Sequence, residues 1–399
     1  MKLINFEKKD ENAPKKLNKK KVFGSVIIII FIISIIVLIS FYITNTSFRN
    51  FVDTNFLRKN ITENNVAAII IDKEKNPYFY AYDKYVVKLE ENTLTRYNAS
   101  GKEDEKNKLE ISNPLFTSNE RNLVVAEKGK QRIYSIIDKQ IAWQKDLEGN
   151  ISRINVNKNG YVSVILTGTT YKSVIVVFDR EGKELFRMFL ANNLAVDSAI
   201  SDDNKYMSFA EIDTSGTIIK SIIKTISIEK AKQKPDEAII NSIEGENDSI
   251  IINIKYQDKN TLLALYNDKI DEIKDGKVSL LKILNNKEEK VSFSDIELSN
   301  SVFRVLEKTT GFFNSNSTVE ITNSINNREY LYMIDAIAKN VYSNENVIAI
   351  NMGMEVHFIS TNNGWLVKKY TSQKEIKDIV LTGKIAAIIY HDKIEVIDL

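Results

Sequence analysis

The chain has 399 residues, with 55 basic and 53 acidic side chains, two histidines and no cysteine. Near-neutrality gives no electrostatic argument for a nucleic-acid partner, and the lack of cysteine excludes disulfides, thiolate metal sites, a lipoprotein anchor and a cysteine nucleophile. A chain this long can stabilise itself by core burial alone.

Residues 1–21 carry eight lysines against Glu7, Asp10 and Glu11, a net +5. Lys15, Lys16, Lys19, Lys20 and Lys21 crowd the front of the next segment and act as its topology signal. Residues 22–43 hold no charge, and ten of these 22 positions are isoleucine. As a helix they span roughly 33 Å, the thickness of a bilayer's hydrocarbon core. Val22, Ile27, Ile30, Ile33, Ile36, Ile39 and Ile43 mark the expected membrane anchor. A cleaved signal peptide has a shorter apolar core, about 7–15 residues, followed by a small-residue cleavage site. Thr44-Asn45-Thr46-Ser47 is not such a site, so the anchor is expected to stay. The lysine bias keeps the N-terminus cytoplasmic and sends the C-terminal part outside.

Residues 44–65 read as a stalk. Phe48, Val52, Phe56, Leu57 and Ile61 fall close to helical spacing, which fits either a short interfacial helix or an irregular linker.

From residue 66 to 399 the period changes to two. Runs such as YVSVIL at 161–166, SVIVVF at 173–178 and SIIINI at 249–254 alternate with turns rich in Asn, Asp, Gly and Lys. The runs recur as units beginning near Tyr85, Asn122, Gly160, Lys205, Thr261, Val347 and Ile385, with room for one more near 302–306. Most spacings suit a four-stranded propeller blade. A small sheet buries both faces only when stacked against neighbours, so the expected fold is an all-β propeller rather than a pair of β-sandwiches. The last unit stops after two strands and the first begins partway through a blade. Pairing the chain ends would close the ring at about seven blades.

The pieces IAWQKDL at 141–147 and GKELFR at 182–187 resemble the outer-strand pattern of pyrroloquinoline-quinone-type propellers, and the strand-turn-strand units are also WD-like. The whole arrangement resembles uncharacterised membrane-anchored propeller proteins of Gram-positive bacteria. That resemblance implies fold and topology and brings no activity. There is no D-x-D-x-D-G calcium loop and no vicinal cysteine pair, so quinone binding is not expected.

The motifs that carry chemistry point away from catalysis. There is no G-x-S-x-G, no G-x-x-x-x-G-K-[ST] and no G-x-G-x-x-G. His357 and His391 sit in strand-like contexts and would need further ligands to hold a metal. Asp202-Asp203-Asn204 fits a turn better than an acid–base pair, and Asp271-Glu272 and Glu288-Glu289 are adjacent rather than opposed. Trp143 and Trp365 read as wedges between blades. Gly353 reads as a strand kink or bulge.

The expectation is a non-enzymatic scaffold with no cofactor, no metal and no catalytic residue. Its partners would be the lipid bilayer and an envelope protein or cell-wall polymer, met by loops on a rigid frame. The alternatives are a small-molecule sensor using the central channel and an extracytoplasmic hydrolase or lyase.

Overall fold

In the computed structural model the described residues are 19–45, 48, 52–53, 56–57, 59–63, 66–284, 290–310 and 314–399. Lys15, Lys16 and the Glu288-Glu289 pair lie outside them. One helix spans Lys19–Thr44, and its apolar stretch Phe23–Thr44 has no buried window. Ile27, Ile30, Ile33, Ile36, Ile39 and Ile43 are all exposed on it. No single face of this apolar stretch is polar. Near its C-terminal end, Tyr42 donates to Asp53 at 2.7 Å, and Lys59 lies 3.3 Å from the same carboxylate.

Residues 61–399 form a separate compact unit of eight antiparallel sheets. Blades 1 to 7 occupy residues 78–108, 114–146, 150–190, 193–244, 251–283, 290–334 and 340–371, each as four consecutive strands. Blade 8 takes three strands from 378–398 and its fourth from Ala67–Ile70, which pairs antiparallel with Lys393–Asp398. Blade 7 gains a fifth strand, Asn60–Thr62. The segment containing Ile61, read as stalk, therefore contributes a strand, and Ile61 packs into the core between blades 7 and 8.

The ring has eight blades, which corrects the expected seven. The recurring runs are the second strands of the blades, including Ser301–Thr310 in blade 6. The chain ends do pair, but they do not merge two units into one. Blade 1 has all four of its own strands, and the C-terminal unit supplies three, so pairing completes blade 8 instead of removing a blade.

The period-two runs are apolar on both faces because both faces are buried. In blade 3, Val162, Val164 and Leu166 join a core shared with blade 2, while Ile165 joins the core shared with blade 4. Eight such cores fill the eight gaps between adjacent blades. Stability is thus distributed around the ring in nearest-neighbour interfaces.

Candidate functional site

The first strand of every blade lines the central channel, and all eight run in the same direction. Their C-terminal ends and following turns surround a cavity of about 260 Å³ at one mouth. Each blade contributes to its wall, for example Asp83, Ser118, Asn157, Ile200, Tyr256, Glu297, Glu345 and Thr382.

A closed circuit of polar contacts joins each blade to the next around this channel. From blade 1 to 2, the Tyr80 and Ser118 hydroxyls lie 3.2 Å apart. From 2 to 3, Asn122 Nδ2 donates to the Lys158 carbonyl at 2.9 Å. From 3 to 4, Arg153 Nε and Asn155 Nδ2 donate to Asp197 Oδ1 at 3.0 and 2.7 Å. From 4 to 5, the Ile254 N–H donates to Asp197 Oδ2 at 3.0 Å. From 5 to 6, Asn253 Nδ2 and Lys255 Nζ reach the Glu297 carboxylate at 3.1 and 3.3 Å. From 6 to 7, Ser343 Oγ donates to Asp295 Oδ2 at 2.9 Å. From 7 to 8, Tyr342 donates to Asp378 at 2.7 Å. From 8 back to 1, Thr382 Oγ1 and Lys384 Nζ reach the Asp83 carbonyl and carboxylate, each at 2.6 Å.

Local backbone irregularity aims these groups. The first strands of blades 3, 4, 5 and 6 each break register once, at Ile151/Arg153, Ala195/Asp197, Ile251/Asn253 and Val291/Phe293. A bulge re-aims the side chains beyond it. In three of the four the next paired residue is Arg153, Asp197 or Asn253, each a member of the circuit.

Asp197 is wholly buried, and burial pushes its carboxyl above the usual range against the pull of Arg153. Asp295 is pushed up to about 6 by burial and by the neighbouring Glu297 carboxylate. Glu297 is held low, chiefly by Lys255. Although enclosed by the channel wall, the Glu297 side chain keeps 46% of its exposure, so channel water reaches it. The mouth itself has an acidic excess. Asp83, Glu120, Asp202, Glu297 and Glu345 outnumber Lys158, Lys255 and Lys384 there, and all three lysines are paired, with Asp202 at 2.6 Å, Glu297 at 3.3 Å and Asp83 at 2.6 Å.

The residues singled out in the sequence fall mostly elsewhere. His357 lies between blades 6 and 7, 2.8 Å from the Tyr332 hydroxyl and 2.7 Å from Glu355. Together with Lys369 it holds Glu355 at about 2. His391 is exposed in a hairpin of blade 8, and no metal-binding group of three His, Cys, Asp or Glu occurs among the described residues. Asp203 accepts from Ser201 Oγ and the Lys205 N–H inside its turn. Asp271 pairs with Lys269. Trp143 is buried against Phe178 and donates to the Arg180 carbonyl. Trp365, expected as a wedge, is 61% exposed in a turn of blade 7. Gly353 sits in a turn between strands, at φ 103°, with its N–H donating to Asn351.

Sequence reasoning missed Asp197 and its partners. The available signal was one aspartate inside the otherwise mostly apolar run NLAVDSAI at 193–200. A charge there reads as an outward position, and only the ring shows it facing blades 3 and 5.

The model of a family described as "Family of unknown function (DUF5711)" matches residues 58–399. No curated protein matches the sequence. Among solved structures, the chain is similar to Sqt1 of Saccharomyces cerevisiae, at 10% identity and a TM-score of 0.53, covering 86% of this chain and 99% of that one. It also matches the β-propeller domain of Cps50 (Swd1) of Myceliophteria thermophila, at 11% identity and a TM-score of 0.48, covering 83% and 99%. The likeness to Sqt1 supports the propeller fold alone.

Proposed function

From the premise that this chain belongs to DUF5711, a family of unknown function, we propose that it is a membrane-tethered interaction scaffold, anchored by Lys19–Thr44 with its propeller on the extracytoplasmic side. The partner is an envelope protein or a cell-wall polymer. The observation that carries this reading is the closed polar circuit. It places a polar contact across every blade seam, which favours a rigid disc that displays its mouth and loops. The acidic excess at the mouth favours a partner rich in cationic or hydrogen-bonding groups. The role is non-catalytic on this reading: Asp295 and Glu297, though split in acidity, already accept from Ser343, Asn253 and Lys255.

The test uses the cysteine-free background. A Glu120→Cys variant carrying a photo-crosslinker at the mouth is expected to capture a discrete envelope component in intact cells. Protease added to cells with a permeable wall is expected to remove the propeller without lysis. Protection until lysis would reverse the orientation.

A second reading, a small-molecule binding protein, is favoured by the 260 Å³ cavity lined by all eight blades. It predicts that a low-molecular-weight extract stabilises the full chain, and that Lys255→Ala and Asn157→Ala abolish the effect.

A further inference from the structure

We propose that the propeller face opposite the channel mouth rests on the lipid bilayer through an apolar arc on blades 3 to 5. The inference rests on the anchor reading above and adds to it the way the disc is held.

Strand direction alternates within each blade, so turns after first and third strands lie at the mouth, and turns after second and fourth strands lie opposite. On that opposite side, large apolar side chains stand in water. Tyr171 follows the second strand of blade 3, and Phe189 lies near the end of its fourth strand. Their rings pack at 4.8 Å while 39% and 48% exposed. Ile218 and Ile219 follow the second strand of blade 4, at 50% and 48%. Ile250 precedes blade 5 and Ile283 ends it, at 40% and 51%. Exposed apolar side chains thus stand on this face in three adjacent blades. Apolar surface on this scale, standing beside charged residues, marks a contact surface.

Two observations name the occupant. The first is where the tether arrives. Glu63 accepts from Ser372 Oγ at 2.8 Å and the Gln373 N–H at 2.7 Å, in the connection after the fourth strand of blade 7, on the same face as the arc. Only residues 45–59 separate the end of the membrane helix from the first strand, a reach of at most about 50 Å. The bilayer is therefore the one surface always present at high local concentration. In a ring of eight, blade 7 stands across from blade 3, so the tether and the arc hold opposite sides of the disc.

The second is charge. Around the arc Lys220 pairs with Glu244 at 3.4 Å, Lys269 pairs with Glu246 at 2.7 Å, and Lys172 reaches Thr214 at 3.2 Å. Asp213, Asp248 and Asp268 lie beside them, with Asp268 accepting from Ser249. Among the described residues no basic excess is available to select anionic lipid, so the contact is apolar insertion and is insensitive to head-group charge.

The absence of native cysteine allows a direct test on the full chain. Ile219→Cys, Ile250→Cys and, as the mouth-side control, Ile325→Cys are each spin-labelled and reconstituted into phosphatidylcholine vesicles, with and without phosphatidylglycerol. The labels at 219 and 250 are expected to become accessible to oxygen and shielded from an aqueous nickel chelate in both lipid mixtures, while the label at 325 stays aqueous. Chains that float with alkali-washed vesicles but keep aqueous labels at 219 and 250 would overturn this inference and leave the anchor standing. Chains that fail to float would overturn the anchor and this inference with it. Label–label dipolar coupling at 219 would assign the arc to a second copy instead.

Discussion

The phenol of Tyr370 donates to the carboxylate of Glu395 inside the seam between blades 7 and 8, and neither side chain is exposed. Tyr370 also lies 2.6 Å from the Tyr390 hydroxyl. Lys393 pairs with Glu395 on one side and with Glu63, 3.2 Å away, on the other. One polar cluster therefore joins the residue just after the first strand to the last blade. Tyr370→Phe is expected to destabilise the full chain by about 1–3 kcal/mol, the cost of leaving a buried group short of a partner. Denaturant titration in detergent measures it, and an unchanged midpoint would show that this cluster does not hold the closure.

Asp197 joins three blades through one carboxylate. Asp197→Ala leaves Arg153 without its anion and the Ile254 N–H without its acceptor. The expected loss is about 1–3 kcal/mol, the cost of leaving buried polar groups without a partner, because the Arg153 side chain is itself partly exposed. Asp197→Asn keeps a neutral acceptor and should lose less. Equal losses for the two variants would mean that shape at this position outweighs its charge.

Gly182 has φ +80°, and a Cβ placed on it would stand 2.6 Å from Cγ of Trp143. Gly182→Val is expected to cost more than about 1 kcal/mol through backbone strain alone. It should also move the near-ultraviolet circular dichroism of Trp143, whose ring is buried against Phe178. An unaltered tryptophan band would place that ring elsewhere.

Asp295 has a carboxyl raised to about 6 from an ordinary 3.8. The folded state therefore holds this proton more tightly than the unfolded chain does. Its contribution to stability is fully present below the ordinary value and declines as pH rises through about 6. Glu355, held at about 2, acts in the opposite sense, and its contribution declines as pH falls from 4.5 toward 2. Asp295→Asn is expected to remove the loss between pH 4 and 6 and leave the acid limb intact, as read by thermal melts across that range. A wild-type slope retained in the variant would assign it to another group.

The sequence made the strands legible because both of their faces are apolar, as in 162–166, where alternate residues enter two different cores. It made the turns legible where Asn or Asp bonds its own backbone, as Asp203 does. It did not reveal the blade count, because a strand at 67–70 completes a sheet whose other strands begin at 378. Nor did it separate the two tryptophans. Trp143 lies under Gly182 in a seam, whereas Trp365 follows Gly364 in an exposed turn.

Local pattern alone determined an uncharged helix of membrane length and a series of small sheets unable to bury both faces singly. Both follow from chemistry among residues near one another in the chain. Only the tertiary structure decided that eight sheets close the ring, that Asp197 faces two neighbouring blades, and that an apolar arc shares a face with the entering chain. Those outcomes depend on pairings between residues tens to hundreds of positions apart, which leave no periodic mark on the sequence between them.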